Sequence, residues 1–158
     1  MTTLEERVQK LEDEAAIRDL AAAFADTASR NDKAAFSALW RKDGVWTIGE
    51  PVLAVCNGME EIMALLSKLR DPKVFFVEFV HSGQVAVNGD HATARWIIRE
   101  VGKGPGETYY NTYGIFSDAM EKVDGKWLFV ERAFHYMYLD SSPFTGDGYV
   151  LPDPLPTH

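Results

Sequence analysis

The chain has 158 residues, 25% of them charged and 12% aromatic, with 16 basic against 24 acidic side chains and a formal net charge of −8. That length fits one domain with a real core, and the acidic balance, without a basic patch interleaved with aromatics, argues against nucleic acid as a partner. The charged start "MTTLEERVQKLEDE" cannot be a secretory signal, no apolar run reaches the ~20 residues of a membrane span, and the lone Cys56 gives neither a disulfide frame nor a thiolate metal cluster. The expected address is the cytoplasm.

Taken in chain order, Thr3 and Glu6 form a capping-box start, and a helical pattern runs to about Ala28. Its apolar residues fall on two faces at ~100° per residue: Leu4, Val8, Leu11 and Ala15 on one, Ile17, Leu20, Phe24 and Ala28 nearly opposite. One face is expected on the subunit's core and the other on a neighbouring copy. Asp32 caps a short helix ending near Trp40, "VWTIG" and "PVLAVC" read as strands, and "NGMEEIMALLSKLR" reads as a helix capped by Asn57. After Asp71-Pro72 come four β segments, at about 74–87, 91–101, 107–123 and 126–139, with "VNGDH" and "VDGKW" as Asn-Gly and Asp-Gly hairpin turns. The tail, "SSPFTGDGYVLPDPLPTH", is extended and without regular structure. The expected organisation is one domain over 1–140 and a tail over 141–158.

Helices followed by a long antiparallel meander make an α+β fold. The sheet must cover its apolar face, so it is expected to curl around the N-terminal helices as a cone whose open mouth suits a small-molecule pocket.

Two stretches carry a resemblance. "LEDEAAIRDLAAAFADTASRNDKAAFSALWRKDGVWTI" is similar to the start of the SnoaL-like, or nuclear-transport-factor-2-like, superfamily, and "GDHATARW" with "VDGKWLFVERAF" resembles its end. The likeness covers about residues 4–138 and is nearest to bile-acid dehydratase, hexachlorocyclohexane dehydrochlorinase and scytalone dehydratase. It implies a cystatin-like α+β barrel, a cofactor-independent lyase and a homotrimer. It also implies that His81 is the general base, normally paired with an aspartate of the first helix. That aspartate falls on Ser29, a pocket tyrosine on Phe24, another on Ile48, and a pocket arginine on Tyr136. Asp26 lies nearby but points away from the Ile17/Leu20/Phe24 stripe.

Strand alternation agrees with the placement of His81, because Phe75, Val77, Phe79 and His81 share one face. The same alternation groups Trp96, Ile98 and Glu100, then Tyr110, Thr112, Gly114 and Phe116, then Arg132, Phe134 and Tyr136. The expected catalytic set is His81, Tyr136 and Glu100. The expected substrate contacts are Phe24, Ser29, Trp96, Tyr110, Thr112, Phe116, Arg132 and Phe134, which suit an aromatic or polycyclic small molecule. Glu100 and Arg132 read equally well as a solvated rim pair. No metal is expected, since His81, His91, His135 and His158 are too far apart for a local ligand motif. The reaction so implied is loss of water or a related elimination, including retro-aldol C–C cleavage. An isomerase or cyclase, or a non-catalytic ligand carrier or scaffold of the same fold, are the alternatives.

Overall fold

The structure is a computed structural model that describes residues 2–149 and 151–152. Helix α1 (Leu4–Arg30) opens on the Thr3–Glu6 capping box and closes on Asn31 in the left-handed conformation. Then follow α2 (Lys33–Ser37), β1 (Trp40–Ile48), β2 (Ala54–Asn57), α3 (Met59–Arg70), β3 (Phe75–Asn88), β4 (His91–Lys103), β5 (Tyr109–Val123) and β6 (Lys126–Asp140). No helix or strand follows β6 among the described residues, though the Phe144 ring packs edge-on against Tyr109 at 4.9 Å. Among the described residues no helix is long and apolar enough to cross a membrane.

The six strands form one curved α+β sheet in the order β2-β1-β6-β5-β4-β3, open at β2 and β3. The expected barrel is therefore not closed, and the sheet is not wholly antiparallel: β1 runs parallel to β6. Its burial explains the position, since Trp46 and Ile48 of β1 enter the core beside Arg132 and Phe134 of β6. Two further local expectations change. Helix α3 is preceded by Gly58 with no side-chain cap, while Asn57 uses its backbone N–H on Glu61 at 2.7 Å. In the β3–β4 hairpin the two-residue loop is Gly89–Asp90, one position later than expected, with Gly89 at φ 59.

Helix α1 lies in the hollow of the sheet and packs on β3 and β6. Ile17, Leu20, Phe24 and Ala28 are buried, whereas Leu4 and Leu11 are 68% and 66% exposed. Asp13 ties the helix to the far end of the sheet, accepting the Trp127 indole N–H at 2.9 Å and pairing with Lys122. Arg70 ties α3 to the end of α1, donating to the carbonyls of Ala28 (2.9 Å) and Ser29 (2.7 Å). Both links satisfy polar groups that burial would otherwise leave unpaired.

A β-bulge breaks the register of β3 on β4 between Val80 and Gly83, where His81 and Ser82 together face one residue of β4. Beyond it Gly83 lies flat against the Trp96 ring, and a Cβ there would stand 2.0 Å from Trp96 Cε3. Trp96 cannot retreat, because its indole N–H donates to Asp118 at 2.7 Å and the Arg18 guanidinium covers its ring at 5.9 Å. Gly83→Ala is therefore expected to overpack this site and cost about 1–3 kcal/mol. Urea unfolding followed by tryptophan fluorescence measures it, and an unchanged midpoint would mean that the bulge does not depend on this contact.

Candidate functional site

Strand register stacks the inward side chains in rows. Ile48, Phe134, Phe116 and Trp96 stand side by side across β1, β6, β5 and β4. Nearer the mouth, Tyr136 faces Gly114, then Glu78, Glu100 and Thr112 line up across β3, β4 and β5, and beyond them Gly102 faces Tyr110. A cavity of about 240 Å³ opens against these rows and is closed by α1 and α3. Its walls are apolar, with Phe24, Trp46, Phe76, Phe116 and Phe134 among them. Its polar groups are concentrated in Glu78, Glu100, Tyr110, Tyr136, Lys73 and Arg70.

Glu78 and Glu100 are direct cross-strand neighbours. Like charges so placed repel, and Glu78 is only 7% exposed. Burial, then the charge of Glu100, push the Glu78 carboxyl well above the ordinary carboxylate range. Burial also raises Glu100, but the Tyr110 hydroxyl and the Glu78 side chain hydrogen-bond to it and restrain the rise. The two carboxyls therefore titrate as one coupled pair, both raised by burial and Glu78 the more strongly. Tyr110 also contacts the Tyr136 hydroxyl at 3.4 Å. Burial and the neighbouring Glu100 keep the Tyr110 phenol protonated far past neutrality.

Below the cavity floor lies a second charged pair. Arg132 is 0% exposed and approaches Asp118 at 3.5 Å, a charge contact rather than a hydrogen bond. Its guanidinium is sandwiched by Phe116 (3.7 Å to the ring centroid), Phe24 (4.0 Å) and Phe129 (4.5 Å). Such ring faces attract a desolvated cation. Burial still lowers the Arg132 pKa, against the opposing pull of Asp118. Its positive charge also favours the ionised forms of Glu78 and Glu100.

Of the residues expected from the sequence, Glu100, Tyr110, Tyr136, Phe24, Phe116 and Phe134 line the cavity. Trp96, Thr112, Arg132 and Ser29 are buried around it without lining it. Thr112 donates to the Tyr138 carbonyl, and the Ser29 hydroxyl accepts the backbone N–H of Glu78 at 2.9 Å. Arg132 is not part of a solvated rim pair, because it lies wholly inside the core. Asp26 is exposed and paired with Arg30 at 2.7 Å.

His81 requires a correction. It is exposed on the outward face of β3 together with Phe79, outside the cavity. The inward set of that segment is Phe76, Glu78 and Val80, of which Phe76 and Glu78 are buried. The residue of β3 that meets Ser29 is therefore Glu78, three positions before the histidine. The sequence expectations do not include Glu78, Lys73, Arg70 or Asp118. A single carboxylate inside the apolar run "FFVEFV" was the available signal for Glu78.

Comparison with solved structures places this geometry in a known fold. The chain is 26% identical to an NTF2-like protein with a cystatin-like fold from Novosphingobium aromaticivorans, with a TM-score of 0.72 over 87% of this chain and 92% of that one. A hexachlorocyclohexane dehydrochlorinase, LinA type 3 from Novosphingobium barchaimii LL02, aligns with a TM-score of 0.78 at 19% identity, covering 92% and 99% of the two chains. A scytalone-dehydratase-like protein from Novosphingobium aromaticivorans DSM 12444 gives 0.77 at 16% identity over 92% and 97%. No curated protein matches the chain in sequence. Residues 9–133 match the SnoaL-like domain, and with most of its length so matched the chain belongs to the SnoaL-like family.

Proposed function

We propose that the cavity is the active site of a lyase acting by acid–base elimination on a small aromatic or polycyclic molecule. The observation that carries this reading is the opposed Glu78–Glu100 pair at the polar end of an aromatic-walled cavity, both carboxyls raised by burial and Glu78 the more strongly. Two carboxyls whose environments push their affinities for protons apart supply an acid and a base at the same pH. The names of similar proteins, a dehydrochlorinase and a scytalone-dehydratase-like protein, are in keeping with eliminations.

In this reading Glu100 is the general base. It is oriented by the Tyr110 hydroxyl and takes a proton from carbon or from a hydroxyl of the bound molecule. The electrons released form a double bond as the leaving group departs, either water or a carbon fragment. Glu78 or the Tyr136 phenol gives that group its proton, and Tyr110 stabilises negative charge developing on oxygen. Phe116, Phe134 and Tyr136 offer ring edges and faces to a flat substrate, with Phe134 and Tyr136 perpendicular at 4.7 Å. Arg132 acts from beneath the floor, where its charge offsets that of the ionised carboxyls.

Assembly belongs to the same proposal. The outward face carries a cross-strand row of Phe79, Arg99, Tyr113 and Tyr138, with Phe79 46% and Tyr138 52% exposed. With Leu4 and Leu11 also exposed on α1, this surface supports a homo-oligomer, and a trimer is the form we propose.

Glu100→Gln is expected to lower turnover at least ~100-fold, the usual scale for a general base, while His81→Ala keeps near-native turnover. Mass-spectrometric assay of phenolic and polycyclic hydroxy compounds for loss of water or of a carbon fragment reads both variants. A silent Glu100→Gln substitution, or a collapse of activity in His81→Ala, would overturn the assignment. Light scattering should return about three times the 17.7 kDa of one chain, and a monomer at that mass would refute the trimer.

A further inference from the structure

The chemistry of the cavity has one member that elimination by the carboxyl pair does not use. Lys73 follows the Asp71-Pro72 turn, and its backbone is fixed at both ends of the peptide unit. Its N–H donates to the Arg70 carbonyl at 3.0 Å, and its carbonyl accepts from the Arg70 guanidinium at 3.4 Å. From there the side chain runs inward across Gly102, where a Cβ would stand 3.3 Å from Lys73 Cδ. Gly102 is the cross-strand partner of Tyr110, so this path delivers the amine to the Tyr110 ring, 5.0 Å from its centroid. The Lys73 side chain lines the cavity there with Glu100 and Tyr110.

Lys73, like Lys42, Lys68, Lys103 and Lys126, forms no salt bridge among the described residues, but it alone of these five lines the cavity. Its neighbours are instead the rings of Tyr110 and Phe76 and, farther off, the charge of Glu100. A free anion bound beside it would meet the ionised Glu100, which makes a simple anion-binding role unfavourable. A neutral carbonyl group meets no such repulsion.

We propose that Lys73 is a nucleophile that condenses with an aldehyde or ketone in the cavity, so that the substrate or product class of this site is a carbonyl compound. The inference rests on reading the cavity as a reaction site, and it narrows the elimination to the retro-aldol type. The uncharged amine adds to the carbonyl carbon, whose π electrons move to oxygen. One N–H proton passes to that oxygen, giving a neutral carbinolamine. The proton shared by the Glu78–Glu100 pair passes to the hydroxyl, which leaves as water while the nitrogen lone pair forms the C=N bond. The resulting iminium cation stands beside Glu100, which takes the proton of the β-hydroxyl. The O–H electrons form a new C=O, the Cα–Cβ bond breaks, and its electron pair becomes the C=C of a neutral enamine. Protonation of the enamine carbon and hydrolysis of the imine by water then return the free Lys73 amine. Burial lowers the Lys73 pKa, and Glu100 works against that shift. A buried lysine of this kind is the usual source of an imine-forming amine.

Reductive trapping tests this without any knowledge of the natural substrate. The full-length protein is incubated with naphthaldehyde and sodium cyanoborohydride at neutral pH, then digested and mapped by mass spectrometry. Naphthalenemethanol, which has no carbonyl, serves as the control. A single secondary-amine adduct at Lys73, formed at least ~10-fold faster than at any other lysine, is the expected result. Lys73→Arg, which keeps the charge but cannot condense, should lose that adduct while retaining the native circular dichroism. Equal labelling of all lysines, or no adduct at Lys73 in folded native protein, would overturn the proposal. Because trapping reads the amine and not turnover, its failure leaves the Glu100→Gln result to judge the elimination separately. Should Lys73→Arg not fold, the labelling ratio within the native protein still decides the matter.

Discussion

Two carboxyl groups held directly across a strand pair, with most water removed, cannot both remain charged. Glu78 and Glu100 are in that position because β3 and β4 are in register at those residues and both side chains point into the hollow of the sheet. In the proposed mechanism, a proton shared between them supplies one acid and one base to the same small molecule. The Tyr110 hydroxyl reinforces the asymmetry by donating to Glu100, and the Ser29 hydroxyl fixes the backbone of Glu78 from α1.

The surrounding protein bears the electrostatic cost of that arrangement. Arg132 and Asp118 are wholly buried beneath the cavity, and the guanidinium nitrogens have no hydrogen-bond partner among the described residues. Three phenylalanine faces partly replace the lost hydration. A buried pair of this kind is poor evidence of stabilisation, since apolar residues of the same volume often do as well. Its value here is better understood as a fixed positive charge facing two carboxyls. Local rules are also set aside where the site needs room. Gly102 leaves space for the Lys73 stem, and Gly114 for the Phe134 ring, which a Cβ would approach to 2.2 Å.

Much of this was legible in the sequence. Turn chemistry and apolar period identified each helix and strand, although β1 begins at Trp40 where the short helix was expected to end, five residues before the expected "VWTIG". Alternation grouped Glu100, Tyr110, Phe116, Phe134 and Tyr136 on faces that line the cavity. The parallel pairing of β1 with β6 was not legible, because it joins residues 86 to 89 positions apart through packing alone. His81 failed for a different reason. The segment "FFVEFV" is apolar on both faces, so hydrophobic pattern could not say which one faced the core. The family resemblance points to the face containing the histidine. The fold chose the face containing Glu78, and left Phe79 exposed on the outward face, with Phe75 and Val77 half-buried beside it. Beyond the bulge the parity inverts, so that Gly83 faces the core although it shares its odd-numbered register with His81.

The shared proton is the point on which the account depends, and infrared spectroscopy observes it directly. Protein labelled isotopically at glutamate carboxyls should show, at neutral pH, the C=O stretch of a protonated, weakly hydrated glutamic acid that shifts with the label. Glu78→Gln should abolish that band and leave the remaining glutamates fully ionised. A native spectrum in which every glutamate is carboxylate at neutral pH would contradict the account.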